Sequence, residues 1–272
     1  MVTQLFRKGK MWGTPPLKDR YDVVIVGAGV HGLSTAYYLA QKGITNIAVL
    51  DRSYIGGGGS ARSTAIIRSN YLTAEAIPFF RESHKLYEGL GQELSFNLLF
   101  DQMGRLDIGH TESSVYWLRL RVEFNKLLGV DSRLIGPDKI KEMVPPIDLR
   151  VDKPLPIMAA LHHPRAGVVR HDAVVWGYAR GADKMGVEIH PFTEVTGITR
   201  EGSRVTGVET TAGHINADTV VSATAGWSSS ISAMAGLDLP IVTYPLQACV
   251  TEPMKPFMDT IVSSADIHVY VY

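Results

Sequence analysis

The feature that most constrains this chain is a glycine-rich turn near its N-terminus, in the run VVIVGAGVHG that starts at Val23. The nearly continuous β-branched residues before the turn are typical of a strand buried on both faces of a parallel sheet. Apolar residues at helical spacing follow from His31 to Gln41. A second apolar run, NIAVL, completes a β-α-β unit, whose right-handed crossover brings both strand ends to one sheet edge. We therefore predict an α/β fold with a Rossmann-like domain.

Gly27, Gly29 and Gly32 have the G-x-G-x-x-G spacing of a dinucleotide-binding turn. Gly27 would make the turn, Gly29 would let the backbone approach a pyrophosphate, and Gly32 would let helix and strand pack closely. The first helical residues, Val30 and His31, would offer unpaired N–H groups and the positive end of the helix dipole to the phosphates.

An acidic residue stands where the second strand ends. Asp51 lies nineteen residues after Gly32, where a carboxylate can accept hydrogen bonds from a ribose diol, and Arg52 beside it is a further candidate for the site. A turn without a ligand is the alternative and would suit a lone motif. Because strand, helix and acid all accompany the glycines, dinucleotide binding is favoured, although the fingerprint does not distinguish FAD from NAD.

Composition excludes several classes of protein. The 27 basic residues equal the 27 acidic ones and form no long block, so nucleic-acid binding is not expected. No apolar run is long enough to span a bilayer, and the first twenty residues do not resemble a secretory signal. Cys249 is the only cysteine, which fits the cytoplasm. No metal site is predicted, and the adjacent His162 and His163 are expected to be separate surface histidines.

The rest of the chain shows mixed patterns. Helical spacing predicts helices over 75–90, 113–128 and about 173–185, and four short strands follow the last of these. Residues 219–223 have the pattern of a strand buried on both faces, and residues 239–253 that of a long strand. The chain stops in another strand pattern, HVYVY, from which we expect a C-terminally truncated sequence.

Specific segments place the chain near a known family. The run GVHGLSTAYYLAQKGITNIAVLDRSYIGGGGSARSTAIIRSNYL resembles the β subunits of heterotetrameric sarcosine oxidases, within the glycine/D-amino-acid oxidase family of flavoproteins. RHDAVVWG and LDLPIVTYPLQACVTEP extend the resemblance. It implies FAD as cofactor and a glutathione-reductase-like FAD-binding domain interleaved with an antiparallel α+β substrate domain. The implied segments are a tail at 1–20, FAD-binding parts at 21–95 and 166–238, and substrate parts at 96–165 and 239–272, the last incomplete.

The resemblance also implies cofactor contacts in this sequence. The flavin ring would lie near a loop from Ser60 to Thr64 that includes Arg62 and Ser63, and the adenine near the backbone of Val195. A second strand-to-helix turn beneath the cofactor would contain Ala223, Gly226 and Trp227. Arg62 as a solvated loop residue and Trp227 as simple core packing are the alternatives.

Two residues carry the functional implications. Arg68, in IIRSNY, stands where related amine oxidases place an arginine that binds the substrate carboxylate, and a guanidinium can do so by two parallel hydrogen bonds. A surface ion pair is the alternative. His171, in RHDAVVWG, corresponds to a histidine that carries covalent FMN in the heterotetrameric enzymes, although by itself it reads as a helix start with Asp172 as N-cap. One departure is Ala65, where monomeric sarcosine oxidases usually have arginine.

The implied function is oxidation of sarcosine or a similar secondary amino acid to glycine and formaldehyde. Electrons would pass to FMN and then oxygen in a complex with α, γ and δ subunits. Two alternatives remain: an FAD-dependent dehydrogenase or oxidase of another amino acid, such as proline or glycine, and a non-catalytic FAD-binding subunit.

Overall fold

The computed structural model describes residues 11–264 and 266–272. Within them, six α-helices and thirteen strands are formed. The helices are α1 (Val30–Gln41), α2 (Ala76–Glu93), α3 (Glu112–Leu127), α4 (Pro137–Met143), α5 (His171–Lys184) and α6 (Ser228–Met234). The strands are β1 (Arg20–Val26), β2 (Ile47–Leu50), β3 (Ile66–Ile67), β4 (Arg105–Gly109), β5 (Arg133–Ile135), β6 (Ala159–His163), β7 (Gly167–Val168), β8 (Glu188–His190), β9 (Val195–Glu201), β10 (Arg204–Thr210), β11 (Gly213–Ser222), β12 (Ile261–Ser264) and β13 (Val269–Val271).

The chain divides into two compact units, each discontinuous in sequence. The described part of the first unit comprises residues 11–63, Leu94–Leu98 and His171–Gln247, and the second comprises Thr64–Glu93, Leu99–Arg170 and Ala248–Tyr272. The predicted segments 21–95, 96–165, 166–238 and 239–272 differ from this division mainly at α2, which belongs to the second unit. Periodicity predicts that such a helix exists, but not which sheet it packs against.

The first unit is built on a six-stranded sheet of order β8-β2-β1-β11-β10-β9. The pairs β8–β2, β2–β1 and β1–β11 are parallel, and β10 and β9 extend the sheet with antiparallel pairs. Tyr21, Val24 and Leu50 are fully buried in its core, as the apolar runs of β1 and β2 require. The predicted α/β fold with a parallel sheet is confirmed.

Helices α1 and α5 pack against each other in the first unit. The rings of Tyr37 and Tyr178 meet edge to face with centroids 5.6 Å apart. Gly181 permits this approach, because a Cβ at this position would lie 2.8 Å from Cε2 of Tyr37. A small residue therefore fixes how closely α5 approaches the helix that follows the glycine-rich turn.

The second unit contains a five-stranded sheet of order β13-β12-β4-β6-β5 and a two-stranded sheet of β3 and β7. Every pair is antiparallel except β12–β4, which is parallel. Leu106, Ile108 and Ile140 form the centre of its main apolar cluster. The antiparallel α+β character that we predicted holds for all of this unit but the β12–β4 pair.

Two strand predictions are wrong in detail. Residues 237–258 contain no regular secondary structure and are mostly exposed, although residues 239–253 have a strand pattern. An extended segment becomes a strand only where a neighbouring strand hydrogen-bonds to it, and among the described residues none does so here. Residues 219–223 are half-exposed rather than doubly buried, although β11 lies between β1 and β10.

The predicted tail at residues 1–20 falls partly outside the described residues, which begin at residue 11. Its described part is attached to the first unit. The Gly13 N–H donates to Oδ1 of Asp183 at 2.7 Å, and Lys18 forms a 2.6 Å ion pair with Glu188. No helix within the described residues is long and apolar enough to cross a membrane.

Candidate functional site

The turn after β1 is closed by backbone contacts. Gly27 has φ +109°, and its N–H donates to the carbonyl of Leu50 at 2.7 Å. A Cβ at Gly27 would lie 2.5 Å from the carbonyl oxygen of Ala223, and one at Gly32 would lie 1.8 Å from that of Gly27. Both glycines are therefore required by the fold itself, independently of any ligand.

Gly29 is different, because its own backbone accepts any residue. It is the N-cap of α1 with φ −82° and ψ −175°, and a Cβ there would meet only Oγ of Ser60, at 3.1 Å. Gly29 has no side chain with which to cap the helix, and the first turn of α1 contains no acidic residue. The partial positive charge of this helix end is thus uncompensated by the helix's own residues, which suits an anionic group such as a pyrophosphate.

The glycine-rich loop that follows β2 returns to this turn. The Gly56 N–H donates to the Ala28 carbonyl at 2.9 Å, and the Val30 N–H donates to Oγ of Ser60 at 3.0 Å. Ser60 thus contacts the first turn of α1, as a residue lining a cofactor there would. His31, which follows Val30 in α1, is exposed.

Arg62 lies in the short 3₁₀ helix Ser60–Arg62 and is exposed. Its guanidinium donates to the carbonyl of Gly57 and, at 2.9 Å, to that of Gly58. Arg62 therefore closes the glycine-rich loop on itself. Ser63 follows in the first unit, whereas Thr64 is the first residue of the second unit.

Asp51 is held by the backbone on both sides. Its Oδ2 accepts a hydrogen bond from the Ala28 N–H, and its Oδ1 accepts one from the Ser53 N–H, each at 2.8 Å. A carboxylate oxygen has two lone pairs, so these bonds leave acceptor capacity for a ribose hydroxyl. The sequence predicted the position of this carboxylate but not the bonds that orient it.

Arg52 and Trp227 contact each other in the first unit. The guanidinium carbon of Arg52 lies 4.2 Å from the centroid of a Trp227 ring, a cation–π contact. Trp227 is 46% exposed, which argues against the alternative of simple core packing. Arg52 follows β2 directly after Asp51, and Trp227 follows β11. Together they form an exposed planar surface.

The second predicted turn follows β11. The Ala223 N–H donates to the Val26 carbonyl at 2.8 Å, which joins this turn to the end of β1. Gly226 lies in the 3₁₀ helix Ala225–Trp227, where a Cβ would be 3.1 Å from Cγ2 of Thr243. Val195 begins β9 and is buried. Ala223 therefore lies beside the fingerprint turn, and Val195 lies on an outer strand of the same sheet.

His171 is the first residue of α5. The prediction that Asp172 is the N-cap is wrong, because the helix begins one residue earlier and places Asp172 in its first turn. Nδ1 of His171 lies 3.0 Å from Oδ1 of Asp172. If Nδ1 carries the proton and donates it to the carboxylate, Nε2 keeps a lone pair.

Arg68 is half-buried in the second unit. Nη1 donates to the backbone oxygen and to Oδ1 of Asn70, both at 3.2 Å, and the guanidinium carbon lies 4.0 Å from the centroid of the Tyr71 ring. Burial, and then the nearby Arg105, lower the pKa of Arg68. Among the described residues no carboxylate forms a salt bridge with it, which argues against the ion-pair alternative.

A buried carboxylate near Arg68 was not predicted from the sequence. Asp107 is 5% exposed and forms salt bridges with Arg105 and Arg121. Its oxygens also accept hydrogen bonds from Ser263 and, at 2.9 Å, from Nδ2 of Asn70. Burial alone would raise the pKa of Asp107, but Arg121, Arg105 and the hydrogen bonds lower it to about 2. In the sequence it is only one polar residue in an alternating strand.

His163 is also buried, at 1% exposure, so the prediction of a surface histidine is wrong for this residue. Its Nδ1 lies 2.8 Å from the Asp131 carbonyl, to which only an N–H can donate, so Nε2 accepts from the Ser69 hydroxyl at 3.2 Å. Burial lowers the pKa of His163 to about 4. His84, 3.4 Å from the Ser69 hydroxyl, is likewise buried and has a lowered pKa.

We expect His163 to make the protein sensitive to acid. Its pKa is about 4 when folded, against 6.5 for an unperturbed histidine, so the unfolded chain binds more protons between these values. Its contribution to stability is therefore complete above pH 6.5 and decreases as the pH falls towards 4. Between pH 7.5 and 5, the loss from this group is about 2 kcal/mol.

Urea unfolding of the wild type and His163→Asn at both pH values measures this loss. Between the two pH values, the free energy of unfolding of the variant should fall by about 2 kcal/mol less than that of the wild type. His214→Asn is the control, because the hydrogen bond from His214 to Glu209 raises the pKa of that exposed histidine, the opposite direction. An equal decrease in wild type and His163→Asn would contradict the assignment.

Comparison with known proteins agrees with this geometry. The family model described as FAD dependent oxidoreductase matches residues 22–272. Sarcosine oxidase subunit beta of Arthrobacter sp is 48% identical over 262 residues, covering 96% of this chain and 65% of that protein. The subunit beta of Rhizobium meliloti is also 48% identical, covering 96% of this chain and 62% of that protein.

Among solved structures, L-proline dehydrogenase from P. horikoshii superposes with a TM-score of 0.83 at 28% identity, covering 93% of this chain and 67% of that one. The chain thus spans less than two thirds of the length of the two sarcosine oxidase subunits. The nucleotide-type turn, the parallel sheet and the match over 22–272 lead to one assignment. The chain belongs to the FAD-dependent oxidoreductase family.

Proposed function

We propose that the whole protein oxidises sarcosine or a similar secondary amino acid to glycine and formaldehyde. The observation that carries this proposal is Arg68, a half-buried guanidinium without a carboxylate partner among the described residues, next to two arginines that share Asp107. A buried site with more guanidinium groups than carboxylates favours an anion, and an amino-acid carboxylate supplies one. The similarity to the sarcosine oxidase β subunits supports the choice of substrate.

The first unit fits FAD. We assign the pyrophosphate to the turn from Gly27 to Gly32 and the N–H groups of α1, and the ribose to Asp51. Bound FAD would supply the hydride acceptor for the substrate's N-methyl carbon. The further residues that we assign to the cofactor are Val30, His31, Arg52, Ser60, Arg62, Ser63, Thr64, Val195, Ala223, Gly226 and Trp227.

We assign Arg68 to the substrate carboxylate. Its hydrogen bonds to Asn70 use Nη1, so the edge formed by Nε and Nη2 can donate two parallel hydrogen bonds to a carboxylate. The guanidinium carbon lies 4.0 Å from the centroid of the Tyr71 ring, so the ring covers one face of the group. Holding the carboxylate fixes where the rest of a small substrate lies.

We assign His171 to covalent attachment of FMN. A donor Nδ1 held by Asp172 leaves Nε2 as the nucleophile for the methyl group of a flavin ring. Attachment would exchange a C–H bond of that methyl group for a C–N bond, and oxygen would take up the two protons and two electrons released. Electrons from the FAD site would reach oxygen by the same FMN.

The chain would act in a heterotetramer. We propose α, γ and δ subunits as partners, on the strength of the name subunit beta borne by the relatives and of the resemblance in RHDAVVWG. We place the complex in the cytoplasm, which a single exposed cysteine fits.

Arg68→Lys in the full-length protein tests the substrate assignment. Lysine keeps the charge but cannot make the bidentate contact. We therefore expect kcat/KM for sarcosine to fall by a factor that corresponds to roughly 1–3 kcal/mol of transition-state binding energy. Oxidation of N-methylethylamine, which has a methyl group in place of the carboxylate, should change little. Arg150→Lys, at an exposed arginine paired with Asp148, is the matched control. Equal losses for both substrates would indicate a structural arginine.

A second candidate is oxidation of another amino acid, favoured by the likeness to L-proline dehydrogenase. Turnover of sarcosine, proline and glycine by the same preparation separates the two. Flavin retention without turnover of any amine would instead support a non-catalytic FAD-binding subunit.

A further inference from the structure

A buried amide lies between Arg68 and Asp107. Asn70 is fully buried, and the two ends of its side chain have different partners. Its Oδ1 accepts a hydrogen bond from Nη1 of Arg68 at 3.2 Å, whereas its Nδ2 donates to Oδ2 of Asp107 at 2.9 Å. The side chain therefore connects an arginine to a carboxylate that the arginine does not pair with directly.

Asp107 determines which way this amide points. An ionised carboxylate only accepts hydrogen bonds, so the NH₂ end of Asn70 must face it. Salt bridges to Arg105 and Arg121 and the hydrogen bond from Ser263 keep Asp107 ionised and fixed in place. Reversal of the amide would place its carbonyl against the carboxylate, which is unfavourable.

The oriented amide in turn restricts Arg68. Nη1 is bound to the Asn70 backbone and side-chain oxygens, and one face of the guanidinium lies on Tyr71. The Tyr71 ring is itself stacked on Phe80, with centroids 3.8 Å apart and planes at 14°. A flexible side chain with several rotatable bonds is thus held at one end and on one face before any ligand arrives.

We propose that Asn70, oriented by Asp107, is a positioning residue that holds the Nε–Nη2 edge of Arg68 ready for a carboxylate ligand. This rests on the proposed function of Arg68 and extends it to two residues that do not touch the substrate. A preorganised arginine loses less conformational entropy on binding, so removal of the amide should weaken carboxylate binding without changing the net charge of the site.

The test measures binding of butyrate, the carbon isostere of sarcosine, to the full-length flavoprotein by its perturbation of the flavin spectrum. Asn70→Ala should raise the Kd of butyrate roughly fivefold, because binding would then also have to immobilise the Arg68 side chain. Ser69→Ala is the matched control, because Ser69 is also buried but its hydroxyl contacts His163 and His84. It should change the Kd less than twofold. Asn70→Ser, with a shorter polar side chain, replaces Asn70→Ala if the latter does not retain flavin.

A double variant separates positioning from a general loss of structure. In the Arg68→Lys background, Asn70→Ala should have less than a twofold further effect, because it acts through Arg68. Full additivity, or equal effects of Asn70→Ala and Ser69→Ala, would overturn the inference and leave the role of Arg68 standing. No change in butyrate affinity with Arg68→Lys alone would refute the role of Arg68 and, with it, this inference.

Discussion

The Gly29→Val variant of the full-length protein is expected to fold and to lose its FAD. The backbone at Gly29 is extended, at φ −82° and ψ −175°, so valine introduces no backbone strain. A Cβ there would meet only the Ser60 hydroxyl, at 3.1 Å, and that side chain can rotate away. The two methyl groups would, however, occupy the approach to the N–H groups of α1, where a pyrophosphate must lie. We expect flavin retention to be abolished.

The matched control for this variant is Gly136→Val. Gly136 is also the N-cap of a helix, α4, with nearly the same backbone angles, φ −88° and ψ 175°, and a Cβ there meets nothing within 4 Å. It should keep both the fold and the flavin. The measurement is the flavin-to-protein absorbance ratio of the purified protein, with circular dichroism as the check on folding. A folded Gly29→Val protein with its full FAD content would show that the fingerprint is not the FAD site.

The second large effect is expected at His171. His171→Asn should eliminate flavin that survives denaturation, because asparagine lacks a nucleophilic nitrogen, while non-covalent FAD is kept. Asparagine and histidine have nearly the same helix propensity, so α5 should still form. The measurement is flavin fluorescence in a denaturing gel of the co-expressed complex, followed by mass spectrometry of the fluorescent band.

Asp172→Asn refines this test. It keeps the shape of the side chain 3.0 Å from Nδ1 of His171 but removes its charge, so attachment should slow without being lost. His214→Asn, at an exposed histidine of β11, is the matched control and should keep the covalent band. A wild-type band without flavin, or flavin mapped to another residue, would refute the assignment.

The glycine-rich turn was predictable because its determinants are local. Gly27 is required by its own φ of +109° and Gly32 by the carbonyl of Gly27 within the same turn, and the spacing alone reveals both. Asp51 was found by counting along the β-α-β unit. Arg68 and His171, in contrast, depended on family resemblance, since nothing in their immediate neighbours distinguishes them from surface residues.

The residues that sequence analysis missed are defined by distant partners. Asp107 is buried because Arg121 and Ser263 come from other elements of the second unit, and no periodicity encodes that meeting. His163 was misassigned because two adjacent histidines give no sign of the distant residues, Ser69 and Asp131, that contact the second of them. The strand prediction for residues 239–253 was wrong for a related reason. The local sequence shows the extended pattern, but it does not show whether a neighbouring strand is there to hydrogen-bond to it.

The pairing of β1 with β11 has a consequence for synthesis of the protein. β1 ends at Val26 and β11 begins at Gly213, so one edge of the central strand has no partner until β11 has been made. At about 5–20 residues per second, a ribosome needs roughly 10–40 s to make the intervening segment. Throughout that time an apolar strand edge is available to other nascent chains. Production of this flavoprotein is therefore expected to depend on the chaperones that shield that edge as well as on the supply of its cofactor.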